Sequence, residues 1–451
     1  MRIALLAATA VCCLPAPGAA AVNDGAFGVN PGDLFRLPET QWDAHLEAIS
    51  DDGVQAVRMG AWWPDLEPGP PVDGQHRYSW SDIDRQVVAL ARHGLRWEPL
   101  LCFSATWGSQ VDGDYSAAPD GTENFAGFAA ALARRYGHDG SFWAEHPELP
   151  ALPVTSYEIW NEPNATRYWH PGEAGDYADL YAAAHAAIHG ADGAARVVVG
   201  GLAASGPDGV TPADDFLRRM YAHRPDLEGS VDAVGLHPFA RDPQGVYRNV
   251  ATFRHDLDDI AGKGIPIEVT EIGWPATEIP EQIRASYLAQ VAEKLARSDC
   301  GIDRVMPYAW VEQSFGIANQ DGSPRPSATA YSNAIGATDS HSGTTTICSA
   351  LQLRVRVRPQ RRARRVVVVA SCSPSCRLRV ELRAPQVDES AERVTRHRVR
   401  HQRVTLDVAK PVSRRRAKIQ VRVTATGRDG RRATRRHVVR LRPRLSRRAT
   451  G

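Results

Sequence analysis

Short apolar segments alternate with helical patterns about eight times before residue 340. The short segments have strand length, and the longer ones repeat apolar residues at three- and four-residue spacing, as an amphipathic helix does. A strand followed by a helix, repeated, predicts parallel strands. The predicted strands are 25–29, 56–59, 97–103, 156–160, 197–200, 233–237, 267–270 and 304–310. The clearest predicted helices are 125–136, 177–189, 212–223 and 280–296.

Eight strand–helix units in roughly 300 residues predict an α/β fold, the (β/α)8 TIM barrel, in which chemistry collects at the carboxyl ends of the strands. A doubly wound open sheet is the competing architecture. No glycine-rich phosphate loop follows the first strand, which disfavours that alternative.

The pattern changes beyond about residue 345, where Arg alternates with Val or Leu, as in LRVRVR at 353–358. Period-two alternation with β-branched residues is typical of half-buried antiparallel strands, and about 100 such residues suit a small all-β, sandwich-like domain. The polar residues 338–346 have the composition of a linker. We therefore expect a barrel domain over 22–340 and a basic β-rich module over 341–451.

The N-terminus has the features of a secretory signal peptide over residues 1–21. Arg2 precedes an apolar run, and small residues follow, with cleavage expected after Ala20 or Ala21. A membrane anchor is the alternative, but the run is shorter than the 20 or so apolar residues that span a bilayer. The sequence thus predicts a secreted or cell-surface protein whose mature chain has no transmembrane segment.

Cysteine usage agrees with export. Cys372 and Cys376 flank a short loop that favours a local disulfide, and Cys300 with Cys348 is a possible second one. Cys102, inside a strand pattern, would be a buried thiol. A zinc site is the alternative, disfavoured because no His or Cys lies at ligand spacing near these cysteines.

A formal net charge of +2 conceals two parts of opposite sign. Residues 351–451 hold 31 Lys+Arg against 6 Asp+Glu, which is +25 and leaves −23 for residues 1–350. The basic segment is either a solvated module or a binder of an acidic cell-surface polymer. Nucleic acid is disfavoured as a partner, because the segment has no Trp, Tyr or Phe to stack on bases.

Two predicted strand ends carry glutamates beside tryptophan. The fourth strand runs into Trp-Asn-Glu-Pro at 160–163, and the seventh into Thr-Glu-Ile-Gly-Trp at 270–274. A lone Glu at a strand end is usually a solvated carboxylate. Two of them at the same end of one barrel suggest paired acid–base chemistry.

These two motifs resemble those of the retaining glycoside hydrolases of clan A, especially bacterial members of families 39 and 5, over residues of roughly 25 to 335. The resemblance implies that Glu162 is the general acid/base, that Glu271 is the nucleophile, and that Asn161 binds the sugar 2-hydroxyl. It implies no metal or organic cofactor. Cleavage with retention needs two such carboxyl groups. A raised pKa is expected at the acid, because the anionic nucleophile lies nearby.

Glu158 and Glu268 are alternative carboxylates. Strand alternation predicts that Glu158 lies deeper on the face of Glu162, and that Glu268 faces away from Glu271.

The resemblance implies roles for three further residues. Arg58, at the second strand, matches an arginine close to the nucleophile, and an ordinary surface Arg is the alternative. His237 matches a histidine that orients substrate or nucleophile, and a core histidine is the alternative. Many relatives have an aromatic hydroxyl shortly after this histidine, whereas this chain has Phe239; Tyr308 is the candidate replacement.

Several tryptophans fall at predicted strand ends, where their flat faces could stack on sugar rings. Trp107 and Trp310 are the preferred platforms, and Trp274 is a further candidate, although for any one of them packing is the favoured alternative.

The sequence thus predicts a secreted retaining β-glycoside hydrolase acting on a carbohydrate substrate. A catalytically inactive barrel that binds carbohydrate or attaches to a cell surface is the second hypothesis. Transglycosylation by the same two carboxylates is a third.

Overall fold

The computed structural model describes most of the chain after the predicted signal segment. The described residues are 25–204, 206, 209–340, 343–349, 351–360, 365–384, 389–394, 399–407, 417–426 and 432–441. The predicted signal peptide, with its cleavage site, lies outside the described residues.

Eight parallel strands form the first sheet, in sequence order around the barrel. They are β1 (Gly28–Val29), β2 (Ala56–Trp62), β3 (Arg96–Cys102), β4 (Ser156–Ile159), β5 (Arg196–Ala203), β6 (Ala233–His237), β7 (Ile267–Ile272) and β8 (Ile302–Pro307). A parallel bridge between Phe27 and Val305 brings the first strand beside the last. The predicted (β/α)8 barrel is confirmed, and each predicted strand overlaps an observed one.

Helices surround this sheet on its outer side. They are α1 (Trp42–Asp51), α2 (Trp63–Leu66), α3 (Ser81–Arg92), α4 (Glu123–Tyr136), α5 (Ser141–Glu145), α6 (Ala174–Ala191), α7 (Ala213–His223), α8 (Pro243–Ile260), α9 (Glu281–Ala296) and α10 (Pro326–Ser340). In α3, Ile83, Val87 and Leu90 are buried at helical spacing and share one face. Such faces cover the outside of the strands and form one continuous hydrophobic core.

Antiparallel strands follow the barrel. They are β9 (Gln352–Gln360), β10 (Arg365–Ala384), β11 (Glu389–Val394), β12 (Val399–Asp407), β13 (Ala417–Thr426) and β14 (Arg432–Leu441). The 20-residue β10 pairs with β9 and β12 along its first half and with β11 and β13 along its second half. Alternate residues such as Leu378, Val380 and Leu382 form a separate core. The predicted all-β module is confirmed.

Both anticipated disulfides are present, Cys300–Cys348 and Cys372–Cys376, and Cys102 is a buried free thiol. The first disulfide holds the junction between the two parts against the barrel. The Asp299 carboxylate accepts hydrogen bonds from the backbone N–H groups of Ile347, Cys348 and Ser349. The junction is therefore not the free linker that its composition suggested: Thr338 ends up buried in α10, and 343–349 is tied down.

Among the described residues, no helix combines the length and the hydrophobicity that crossing a bilayer requires.

Candidate active site

A cleft of about 890 Å³ opens at the carboxyl ends of the barrel strands. Residues from opposite sides of the barrel line it, because parallel strands bring all their carboxyl ends to one rim. Of the residues singled out from the sequence, the lining includes Arg58, Asn161, Glu162, His237, Phe239, Glu271 and Tyr308.

Glu162 is presented by a sharp turn at the end of β4. The strand stops at Ile159, and both Trp160 (φ 70°) and Glu162 (φ 41°) adopt left-handed backbone conformations, which are rare for residues other than glycine. The Glu162 backbone N–H donates to the Gly201 carbonyl on β5 at 3.1 Å. The Trp160 indole is fully buried below this turn. The turn thereby directs a largely buried Glu162 carboxylate into the cleft.

Glu271 lies near the end of β7, where the pairing with β8 shifts register between Val269 and Ile272. Such an irregularity lets neighbouring side chains point the same way. The Thr270 hydroxyl and the Glu271 carboxylate both face groups inside the barrel, respectively Glu158 and Arg58. Glu268 lies 3.7 Å from Arg304, which pairs with Glu98, the neighbour of Arg58 on β3. Glu268 therefore also faces the barrel interior, and the expectation that it faces away from Glu271 is wrong. Glu268 is buried nearer the start of the strand, 3.2 Å from Arg196.

Arg58 links the carboxylates of Glu158 and Glu271 at the base of the cleft. Its guanidinium donates to Glu271 Oε1 at 2.9 Å and to Glu158 Oε2 at 2.5 Å. It also donates to Asn30 Oδ1 at 2.8 Å and to Asn161 Oδ1 at 3.2 Å. Burial works against its charge, but Glu158 and Glu271 together raise the Arg58 pKa. The ordinary surface-Arg alternative is excluded.

His237 lies between the two cleft carboxylates. Its Nδ1 atom is 3.0 Å from Glu162 Oε1 and 3.7 Å from Glu271 Oε2, and its Nε2 atom is 3.1 Å from the Thr270 hydroxyl. The ring is almost fully buried. One imidazole nitrogen therefore borders both carboxylates, which places Glu162 and Glu271 face to face across the barrel centre.

Arg167, in the loop after β4, pairs with the other oxygen of Glu162. Burial raises the pKa of Glu162, but the hydrogen bonds and charges of His237 and Arg167 outweigh burial, and the net pKa is lowered. The expectation of a raised pKa at this carboxyl does not hold in this arrangement. Arg167 also stacks over the Tyr168 ring, 4.7 Å from its centroid, and is more than half exposed.

Tyr308 lines the cleft beside Glu271. Burial, and then the charge of Glu271, raise the pKa of its phenol to about 12. Its hydroxyl makes no hydrogen bond to Glu271 within the described structure; Arg58 is the donor there. Phe239 packs edge-on against Phe315 on the same side of the cleft.

Asn161 contributes a donor to the cleft. Its side-chain oxygen accepts a hydrogen bond from Arg58, which leaves its amide NH2 group to donate to a ligand.

The three tryptophans expected as sugar platforms do not line the cleft. Trp310 is fully buried and donates to His45 at 3.2 Å, and Trp274 donates to the Ala240 carbonyl at 2.8 Å. Trp107 donates to the Glu67 carbonyl at 3.0 Å and packs edge-on against Trp63. All three indoles pack within the barrel wall. Other aromatic rings line the cleft instead: Phe35, Trp62, Phe103, Tyr168, Tyr308, Phe239 and Phe315.

Two important side chains were missed by the sequence reasoning. Asn30 directly follows the predicted first strand and bonds the Thr270 and Pro307 carbonyls, and its position at a strand end was the available signal. Arg167 lies in a loop expected only to shape the cleft, and no motif marks it as a partner of Glu162.

Comparison with models of known protein families gave no match, and no curated protein matched the chain. Solved structures are similar in fold. A GH39 beta-xylosidase from Caulobacter crescentus is 19% identical with a TM-score of 0.55, and the match covers 81% of this chain and 84% of that one.

A GH39 enzyme from Xanthomonas axonopodis pv. citri is 16% identical with a TM-score of 0.54, and the match covers 94% of each chain. A GH5_18 protein from Streptomyces cattleya, in complex with Manb1-4GlcNAc, is 14% identical with a TM-score of 0.51, covering 71% of this chain and 82% of that one. The resemblance drawn from the two glutamate motifs is thus confirmed at the level of the fold: the chain has the barrel architecture of these glycoside hydrolases.

Proposed function

We propose that the protein is a secreted retaining β-glycoside hydrolase, with Glu271 as nucleophile and Glu162 as general acid/base. The observation that carries this proposal is the meeting of the two carboxylates at His237 in the barrel cleft. Their distinct partners support distinct roles. Glu271 is paired with the buried Arg58, whereas Glu162 is paired with the exposed Arg167.

In the first step, a Glu271 oxygen attacks the anomeric carbon while the bond to the leaving oxygen breaks, and that oxygen takes a proton from Glu162. In the second step, the Glu162 carboxylate removes a proton from water, and the water oxygen attacks the same carbon and releases Glu271. Arg58 and His237 orient the carboxylates, and the Asn161 amide is placed to bind a sugar hydroxyl.

The first step needs a protonated Glu162, and the Arg167 contact opposes protonation. A sugar bound on the leaving-group side would occupy the space where Arg167 meets Glu162 and Tyr168. We infer that substrate displaces Arg167 and so restores the pKa that a general acid requires.

Export is part of the proposal. Two disulfides fit an oxidising compartment. The basic β-rich module is proposed to hold the enzyme at an acidic cell-surface polymer through its charge.

Aryl β-glycosides, including xylosides and mannosides, and plant, fungal and bacterial polysaccharides would test the activity. The wild type should cleave a member of this panel with retention. Glu271→Ala should lose activity and regain it with azide, giving a glycosyl azide of inverted configuration. Azide should rescue Glu162→Ala only with an activated aryl leaving group, giving a glycosyl azide of retained configuration.

The second candidate is an inactive carbohydrate-binding barrel. The lowered pKa of Glu162 and the absence of a hydroxyl at Phe239 are the observations that favour it. If the wild type and both variants bind an oligosaccharide equally and none cleaves it, the hydrolase proposal is wrong.

A further inference from the structure

Two histidines and an aspartate meet at the opposite end of the barrel from the candidate active site. His185 and His189 lie one turn apart on α6 and therefore share a face. Asp232 immediately precedes β6, at the amino-terminal end of that strand. Glu162 and Glu271, by contrast, lie at the carboxyl ends of their strands. The cluster is thus separate from the cleft.

The three side chains converge on one point. Asp232 Oδ2 lies 2.9 Å from His189 Nε2 and 3.5 Å from His185 Nε2, and the three ligand atoms all lie within 4.8 Å of one another. A tetrahedral zinc ion with bonds of about 2.0–2.1 Å spaces its ligand atoms about 3.3 Å apart. The two distances to Asp232 bracket that value, and the two histidine nitrogens lie within 4.8 Å of each other, so an ion could enter with small side-chain shifts.

The donors have the character that a transition metal needs. Asp232 offers a carboxylate oxygen, and the two histidines offer imidazole nitrogens, all of which are common ligands of zinc. Within the described part of the chain, the buried His185 Nε2 makes no hydrogen bond, and Asp232 Oδ2 lies 3.5 Å from it. A buried ring nitrogen without such a bond, aimed at a carboxylate, is available as a ligand.

We propose that His185, His189 and Asp232 form a structural site for a divalent transition metal such as Zn²⁺. The partial exposure of all three side chains leaves room for water as a fourth ligand. Two imidazoles select against Mg²⁺ and Ca²⁺, which prefer oxygen ligands. The ion would hold α6 against β5 and β6. Asp232, which precedes β6, already accepts a hydrogen bond from the Val197 N–H of β5 at 2.9 Å.

The test uses the full untagged chain, stripped with a chelator and titrated with Zn²⁺ by calorimetry. We expect one equivalent to bind and the unfolding temperature to rise with Zn²⁺ but not with Mg²⁺. Co²⁺ at the same site should show the visible absorption of a tetrahedral complex. His185→Gln and His189→Gln should each weaken binding more than tenfold.

His223→Gln is the matched control, since His223 also pairs with an aspartate, Asp179, but the described residues place no third ligand with that pair. This variant should bind Zn²⁺ as the wild type does. Asp232→Asn also loses a backbone hydrogen bond, so its folding is checked first and the histidine variants decide the result. Absence of Zn²⁺ binding by the wild type, or binding unaffected by both histidine substitutions, would overturn the proposal.

Discussion

At the scale of single residues, the candidate site is defined by which arginine pairs with which glutamate. Arg58 is shared between Glu158 and Glu271, and Arg167 is assigned to Glu162 alone. Arg58 is buried and held by four acceptor residues, whereas Arg167 is exposed and held by one carboxylate and one ring. Arg58 is therefore enclosed within the site, whereas Arg167 is exposed and has fewer partners, which is why we propose that a ligand displaces it.

Replacing Arg167 by Gln should raise the pKa of Glu162, because a cation that stabilises its carboxylate is removed. The pH dependence of kcat/KM reports the ionisation of the general acid in the free enzyme, so the basic limb of this profile should move to higher pH. Hydrolysis of an aryl β-glycoside across pH measures this shift.

Arg36→Gln is the control, since Arg36 also lines the cleft but, among the described residues, forms its ion pair with Asp33 rather than with Glu162. A basic limb that stays in place in Arg167→Gln would show that the pairing does not control the acid.

The lowered pKa of Glu162 also makes the free energy of unfolding depend on pH. A carboxyl whose folded pKa is depressed stabilises the fold above its unfolded pKa, and this contribution is lost as pH falls through the folded pKa. Unfolding by urea at several pH values should show Glu162→Gln losing part of the acid sensitivity of the wild type. Equal acid sensitivity in both proteins would contradict the depressed pKa.

At the scale of elements, β5 positions the site although it supplies no acid to the cleft. The Gly201 N–H donates to Glu158 at 2.6 Å, and its carbonyl accepts from the Glu162 N–H. A Cβ at this position would lie 2.1 Å from His237 Nε2. Only glycine lets the histidine lie against the strand.

Gly201→Ala should therefore displace His237 and lower kcat/KM about 100-fold or more, as misplaced catalytic groups commonly do. Gly190→Ala is the matched control, because an alanine Cβ at that position would meet nothing within 4 Å. Near wild-type kcat/KM in a folded Gly201→Ala protein would refute the positioning role of this strand.

The two disulfides are expected to differ in how much they contribute to the free energy of unfolding. Cys300 and Cys348 are separated by 48 positions in the sequence, whereas Cys372 and Cys376 are separated by 4. Closing a longer loop removes more entropy from the unfolded chain. The double change of Cys300 and Cys348 to Ser should cost about 3 kcal/mol in denaturant unfolding. The same change at Cys372 and Cys376 should cost less, and the reverse order would contradict this account.

At the scale of the whole molecule, the chain divides its charge between an acidic barrel and a basic module. Exposed arginines of β10, β13 and β14 line a groove of about 580 Å³ on the module: Arg377, Arg379, Arg422, Arg432 and Arg436. In the pairing of β13 with β14, Arg422 lies opposite Arg436. Like charges placed opposite each other repel, and an anionic partner would relieve that repulsion.

Binding of the full protein to immobilised polygalacturonate should therefore weaken steeply as NaCl rises from about 0.05 to 0.5 M, because salt screens exposed charges. Arg432→Glu with Arg436→Glu should reduce binding at least tenfold. Arg218→Glu with Arg219→Glu, on the exposed side of α7, removes the same charge and should have little effect. If binding to polygalacturonate does not change with NaCl concentration, an electrostatic interaction is ruled out.

The sequence by itself determined the barrel, the β-rich module and the two glutamates at strand ends, and it offered both disulfides as candidates. Each of these depends on local patterning: hydrophobic period, cysteine spacing and the position of a carboxylate after a strand. Such signals are readable because backbone geometry converts a period along the chain into a face of an element.

Only the tertiary structure decided what surrounds those residues. The register shift in β7 turned Thr270 and Glu271 toward the same interior, which strict alternation does not predict. The barrel wall buries or packs the three tryptophans that were expected as sugar platforms: Trp107, Trp274 and Trp310. Arg167, from the loop after β4, pairs with Glu162. Contacts between distant segments set burial, charge pairing and pKa, and these contacts arise only when the strands close into a barrel.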